Sequence, residues 1–189
     1  MDWTLFHALN EQLAGRPTLD RAVSDFATWS VPVFAAATVL LWIWPRLRLA
    51  CASALAAAGI GLLVNQLIGR IWFRERPYAA HPGAVTVLAH RSRDPSFPSD
   101  HATAAFAIAF AVVVFSRPIG AAFLVAAAAI GVSRILVGLH YPGDVAAGVF
   151  VGLASALVAV YALRRPLSLV TAYAGRATDP VLTRLRLPP

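Results

Sequence analysis

Three short stretches of the chain hold the side chains able to do chemistry. One runs from Ser133 to Asp144 and reads Ser-Arg-Ile-Leu-Val-Gly-Leu-His-Tyr-Pro-Gly-Asp. Its His140 and Asp144 are four residues apart, so a helical turn after the histidine would set both side chains on one face. A carboxylate bonded to one imidazole nitrogen fixes the tautomer and leaves the other nitrogen free as nucleophile or base. Pro142 and Gly143 suit a helix start, and a helix N-terminus binds phosphate readily. Arg134, beside Ser133, closes an apolar run, where a charge is costly unless paired or useful. Read alone, the same residues also fit a snorkelling arginine and a surface histidine.

The second stretch is Pro-Ser-Phe-Pro-Ser-Asp-His, ending at His101. Pro98 and Ser99 stand at the head of an apolar run, which predicts a helix capped by Ser99. Ser99 and the backbone N–H groups of that first turn, beside Asp100, offer donors to an anion. His101 in the same turn is suited to hand a proton to a leaving oxygen. The third stretch runs from Gly69 through Arg70, Arg74 and Glu75 to Arg76 and Pro77. Arginine binds phosphate through paired donors better than lysine does. Taken singly, these two pieces also fit an ordinary cap and a basic border that binds anionic headgroups.

The elements that must position these residues belong to a membrane. Of 189 residues, 59% are hydrophobic and 13% charged, and the mean hydropathy is +0.68. A soluble domain ordinarily carries about 25% charged residues. The apolar residues fall into five runs, about 31–44, 49–68, 102–116, 119–137 and 145–163. A spanning helix needs about 20 residues. The first and third runs are shorter, and can begin earlier, near Phe26 and at a Ser99 or Asp100 cap. Abundant alanine and glycine suit helices that approach closely in lipid. Ahead of the runs, Trp3, Leu5, Phe6, Leu9 and Leu13 recur at helical spacing, which predicts an interfacial helix and a connector reaching Asp25. A sixth, imperfect span is the alternative. Met1 to Gly15 has acids where a cleaved signal peptide has a basic start, so no such peptide is expected.

The expected architecture is therefore an all-α, polytopic helical bundle of about five spans plus an N-terminal interfacial helix. It forms a single domain over residues 1–166, with a basic tail over 167–189 that lies on the membrane surface or is partly disordered. With five spans, the ends of spans two and four share a side with the starts of spans three and five. The three polar stretches therefore converge on one face. The opposite face holds Arg46, Arg48, Arg117, Arg164 and Arg165, and the positive-inside rule makes it cytoplasmic. The net charge of +7 comes from 16 basic residues, all arginine, set at the ends of runs and in one long loop. That placement argues against nucleic acid as a partner and for phosphate or anionic lipid. The single cysteine, Cys51, excludes an internal disulfide and a cysteine-rich metal site.

The combined pattern resembles the type 2 phosphatidic acid phosphatase superfamily. Its third motif, Ser-Arg, five residues, His, three residues, Asp, is matched by Ser133, Arg134, His140 and Asp144. Its second, Pro-Ser-Gly-His, is matched by Pro98, Ser99 and His101, with Asp100 in place of glycine. Its first, Lys, six residues, Arg-Pro, is met only at Arg76 and Pro77, because Gly69 stands where lysine is usual. Arg70 or Arg74 would then supply the missing charge. The resemblance covers roughly residues 49–163 and looks closest to the bacitracin-resistance type of undecaprenyl diphosphate phosphatase.

This resemblance implies a six-helix core and a metal-independent phosphatase with no cofactor, acting on a lipid phosphate or diphosphate. It implies His140 as nucleophile oriented by Asp144, and His101 as proton donor to the leaving lipid phosphate. It further implies that Arg76, Ser99 and Arg134 hold the nonbridging oxygens. The expected substrate is undecaprenyl diphosphate, with phosphatidic acid or phosphatidylglycerol phosphate as the alternative. The expected location is a bacterial inner membrane, with the site on the outer side. Two other classes compete with this reading. One is a metal-dependent hydrolase with His101, His140 and Asp144 as ligands. The other is a transporter or scaffold whose arginines bind headgroups.

Overall fold

The computed structural model describes residues 2–12 and 16–185, with side chains through residue 180. Every regular element among the described residues is helical. Helix α1 (Asp2–Asn10) is the predicted N-terminal amphipathic helix; Leu13, expected to extend its apolar stripe, lies outside the described residues. Helix α2 (Pro17–Leu40) starts well before Phe26, so the stretch read as a connector is its first part. Pro17 occupies the first helical turn, where a fixed φ and a missing N–H cost nothing, and Asp20 faces the positive end of the helix dipole. The polarity of this stretch marks a helix emerging from the membrane, which spacing of apolar residues alone does not reveal.

A tight turn through Pro45–Leu47 leads into α3 (Arg48–Ile71). The long loop that follows carries only the four-residue α4 (Pro77–Ala80). Helix α5 (Asp100–Phe115) is capped by Ser99, as its sequence predicts, and α6 (Arg117–Leu136) follows after Ser116. Helix α7 (Pro142–Leu157) continues through a π turn (Val158–Ala162) into α8 (Arg164–Leu185). Among the described residues, four stretches are long and apolar enough to cross a membrane: Pro17–Ile43, Pro45–Ile71, Arg117–Leu136 and Pro142–Ala162. The third expected span, α5, has 16 residues and is the central helix, packed on α3, α6 and α7. Protein rather than lipid surrounds most of α5, so its buried positions fall on every side, as befits a core helix.

Close helix contact here depends on missing side chains. A Cβ at Gly152 of α7 would lie 2.8 Å from the Ala107 nitrogen and 2.9 Å from the Thr103 oxygen of α5. The two backbones can meet only because this residue is glycine. Trp29, Val33, Leu63, Val125 and Phe150 point outward as exposed apolar side chains, the surface a lipid-embedded bundle presents.

The tail carries a helix that its sequence did not announce. Residues 164–185 form a helix, because Thr171 and Gly175 give α8 a face that docks against the start of α3. There the Arg48 guanidinium pairs with Asp179, and Trp42 Nε1 donates to Thr178 Oγ1 at 3.1 Å. The last four residues of the tail lie outside the described residues. The loop of residues 72–99 and the α6–α7 turn gather at the other end of the bundle, as the topology predicts, and α1 packs there against α6 and α7.

Candidate active site

Helix α6 ends at a left-handed glycine. Gly138 has φ +81°, and its N–H bonds the Ile135 carbonyl while Leu139 N bonds that of Arg134 at 3.1 Å. This closure satisfies the last carbonyls of the helix and reverses the chain within two residues. A Cβ at Gly138 would lie 2.5 Å from the Thr86 carbonyl oxygen, so the turn also needs glycine for space. The next residues are Leu139 and His140, and then α7 begins with Tyr141 as its cap and Pro142 inside its first turn.

His140 is buried, and both ring nitrogens are engaged. Nδ1 lies 2.8 Å from the Ser96 carbonyl, and Nε2 lies 3.2 Å from Arg76 Nη1. Arginine only donates, and a carbonyl only accepts, so the imidazole is the neutral Nδ1–H tautomer with its Nε2 lone pair turned toward Arg76. Burial pushes the His140 imidazole below its ordinary pKa, with the Arg76 charge adding to the shift and Asp144 opposing it. The neutral form, the only nucleophilic one, is thus favoured at neutral pH.

The expected direct bond between His140 and Asp144 is not what holds the ring. Their nearest atoms, Nδ1 and Oδ2, are 3.7 Å apart, beyond hydrogen-bond length. His140 precedes α7 rather than belonging to it, so a four-residue spacing does not bring the pair onto one helical face. Asp144 is fully buried at the start of α7 and accepts from Tyr141 N at 2.9 Å, Ser96 Oγ at 2.6 Å and Arg74 Nη1 at 2.7 Å. Ser96 therefore bridges the pair, its hydroxyl on Asp144 and its carbonyl on His140.

The arginines divide by task. Arg74 is committed to two carboxylates, Asp144 and Asp2, and stacks 4.1 Å over the Tyr141 ring. Arg76 donates to the Leu139 carbonyl and to His140, and pairs with Asp94 Oδ2 at 3.0 Å. Arg134 is buried; its Nη2 donates to the Ala27 carbonyl, and Nε donates to Ser133 Oγ at 3.3 Å. Ser133 in turn donates to the Ile130 carbonyl at 2.7 Å.

A cavity of about 140 Å³ opens beside His140. Arg70, Asn65 and Gly69 of α3 line it, with Arg76, Asp94 and Asp100. Gly69, the position of the absent lysine, therefore borders the same space as Arg70, whereas Arg74 does not. Ser99 is buried at the cap of α5, its N–H on the Asp144 carbonyl at 3.1 Å and its hydroxyl facing Ala102 N. His101, half-buried in the first turn, lies within electrostatic reach of Arg134, His140 and Arg76. Among the described residues, His101, His140 and Asp144 do not group as a metal-ligand set.

Four contributors escaped the sequence reading as site residues: Asp2, Asn65, Asp94 and Ser96. Asn65 donates to Asp100 Oδ1 at 2.7 Å and Thr103 Oγ1 at 2.9 Å, tying α3 to the start of α5. Its only sequence signal is an amide within an otherwise apolar run. Ser96 had the signal of lying inside the second polar stretch.

An all-helical membrane bundle with a neutral, cavity-facing histidine among arginines is the architecture of a lipid phosphatase. The chain belongs to the PAP2 superfamily, whose pattern matches residues 49–167. It is 31% identical over 157 residues to undecaprenyl-diphosphatase BcrC of Bacillus subtilis, covering 81% of this chain and 79% of that one. It is 34% identical over 149 residues to decaprenylphosphoryl-5-phosphoribose phosphatase of Mycobacterium tuberculosis, covering 77% of this chain and 81% of that one. The crystal structure of Aquifex aeolicus LpxE superposes with a TM-score of 0.70 at 25% identity, covering 83% of this chain and 93% of the other.

Proposed function

We propose that the protein hydrolyses undecaprenyl diphosphate to undecaprenyl phosphate and inorganic phosphate through a phosphohistidine at His140. The observation that carries this reading is the neutral His140, its Nε2 lone pair turned toward Arg76 beside a cavity that Arg70 also lines. Both relatives described above are named for polyprenyl-linked phosphates, which supports a polyprenyl tail over a glycerolipid.

In the first step Nε2 attacks the terminal phosphorus, the N–P bond forms and the bridging P–O bond breaks. His101 gives a proton to the departing lipid phosphate. In the second step water attacks the phosphohistidine, His101 takes its proton, and inorganic phosphate leaves with His140 restored. Asp144 and Ser96 hold the imidazole through both steps. Arg76, Arg134 and the Ser99 region stabilise the charge spread over the nonbridging oxygens, which is where most catalysis of phosphoryl transfer resides. Arg70 takes the part of the absent lysine at Gly69, while Arg74 serves Asp144. Asp100 orders the cavity wall through Asn65. The reaction needs no metal. The site faces the outer side of a bacterial cell membrane, with the lipid tail between helices.

The test is phosphate release from undecaprenyl diphosphate by the purified protein in detergent with EDTA, for wild type and His140→Ala. Release that vanishes in the variant supports the reading. Cleavage of phosphatidic acid but not of undecaprenyl diphosphate would overturn the substrate assignment alone. Full activity in His140→Ala would overturn the nucleophile.

A further inference from the structure

Asp2 lies outside all three polar stretches, on the helix farthest from them in sequence. It nonetheless reaches the site. Helix α1 is held on the site end of the bundle by Phe6, fully buried with Ile135 and Tyr141. Asn10 fastens its other end, donating to the Thr86 and Leu136 carbonyls at 2.9 Å each. From the first turn of α1, Asp2 Oδ2 accepts from Arg74 Nη2 at 2.6 Å. Its Oδ1 accepts from Gly143 N at 2.9 Å, at the start of the helix that carries Asp144. A Cβ at Gly143 would lie 2.8 Å from Asp2 Oδ2, so the carboxylate fits against bare backbone.

Arg74 thus stands between two carboxylates, one nitrogen on Asp2 and another 2.7 Å from Asp144 Oδ1. This matters because Asp144 is fully buried and needs a fixed countercharge. Arg74 does not line the cavity, but the phosphate proposed to bind there carries several negative charges and would attract a loosely held guanidinium. A second carboxylate on the far side of Arg74 makes the bracketed position its lowest-energy one. From there the order passes to Asp144, to the Ser96 hydroxyl, and through the Ser96 carbonyl to His140 Nδ1.

We infer that Asp2 is a positioning residue for the phosphatase reaction, fixing Arg74 on Asp144 so that His140 keeps its attacking orientation. The inference rests on His140 as the nucleophile. Asp2→Asn is the telling variant, because its amide oxygen can still accept from Gly143 N–H while the charge opposite Arg74 is gone. Removal of groups that orient metal ligands from behind commonly costs about tenfold to a hundredfold, and the same leverage is taken for a histidine nucleophile. The expected result is a loss of that size in kcat with KM unchanged, and recovery of most activity in Asp2→Glu. In an Arg74→Ala background, adding Asp2→Asn should have no further effect, an outcome that a merely structural role for α1 would not produce. Wild-type kcat in Asp2→Asn, or an equal loss with and without Arg74, overturns the inference. Full activity in His140→Ala would instead remove the reading beneath it, whatever Asp2 does.

Discussion

At Ser96 two atoms of one residue serve two partners: the hydroxyl donates to Asp144 at 2.6 Å and the carbonyl accepts from His140 at 2.8 Å. A change of side chain removes only the first of these, so the histidine keeps its tautomer while the carboxylate loses a donor. Arg70 and Gly69 pose the sharper residue-scale question. Both line the cavity, and a Cβ at Gly69 would meet only the Pro95 ring at 3.4 Å, so a side chain is tolerated there. Removing a charged hydrogen-bond partner costs about 1.5–3 kcal/mol, so Arg70→Ala should raise KM roughly tenfold to a hundredfold. Adding Gly69→Lys to that variant should recover much of the loss, since the cation returns to the same space. Steady-state kinetics on the single and double variants checks both statements.

At the scale of elements, the site depends on where helices stop. Helix α5 begins at Ser99 and α7 at Tyr141, and the Ser99 N–H bonds the Asp144 carbonyl, so the two helix starts are pinned together. Between α6 and α7 only Gly138 permits the reversal that presents His140. Gly138→Ala would force a side chain into a left-handed conformation, at about 1–2 kcal/mol, and against the Thr86 carbonyl as well. The expected outcome is a lower melting temperature in detergent together with a reduced kcat, read by thermal unfolding and phosphate release. Unchanged kcat would mean that His140 is positioned independently of this turn.

For the whole molecule, the arrangement has two chemically different ends. One gathers α1, the long loop and the helix starts around His140; the other carries Arg46, Arg117 and Arg164, with Arg48 paired to Asp179 of α8. The proposed orientation sets the first end outside the cell. Cys51, the single cysteine, is buried, and an introduced thiol can report on each end once Cys51 is replaced by serine. Glu75→Cys, at an exposed position near the site, should react with an impermeant maleimide in intact cells. Arg165→Cys, exposed at the opposite end, should react only after permeabilisation. The reverse pattern would place the site on the cytoplasmic side.

Much of this was legible in the residues themselves. Long apolar runs bounded by arginine and proline declare spanning helices, because lipid leaves an unpaired backbone no other solution. Counting those runs was enough to bring residues 70–101 and 133–144 to one end, and the Ser99 cap followed from local chemistry. Three things were decided only by tertiary structure. His140 and Asp144 look like a helical pair by spacing, yet the ring sits before the helix and is held through Ser96, a contact across 44 residues. Arg70 and Arg74 are interchangeable by composition, but one faces the cavity and the other is bracketed by carboxylates. Asp2 and Arg74 meet across 72 residues, and no local period encodes that distance. Sequence patterns report which face of an element avoids water; which partner a polar side chain finds depends on how the elements pack.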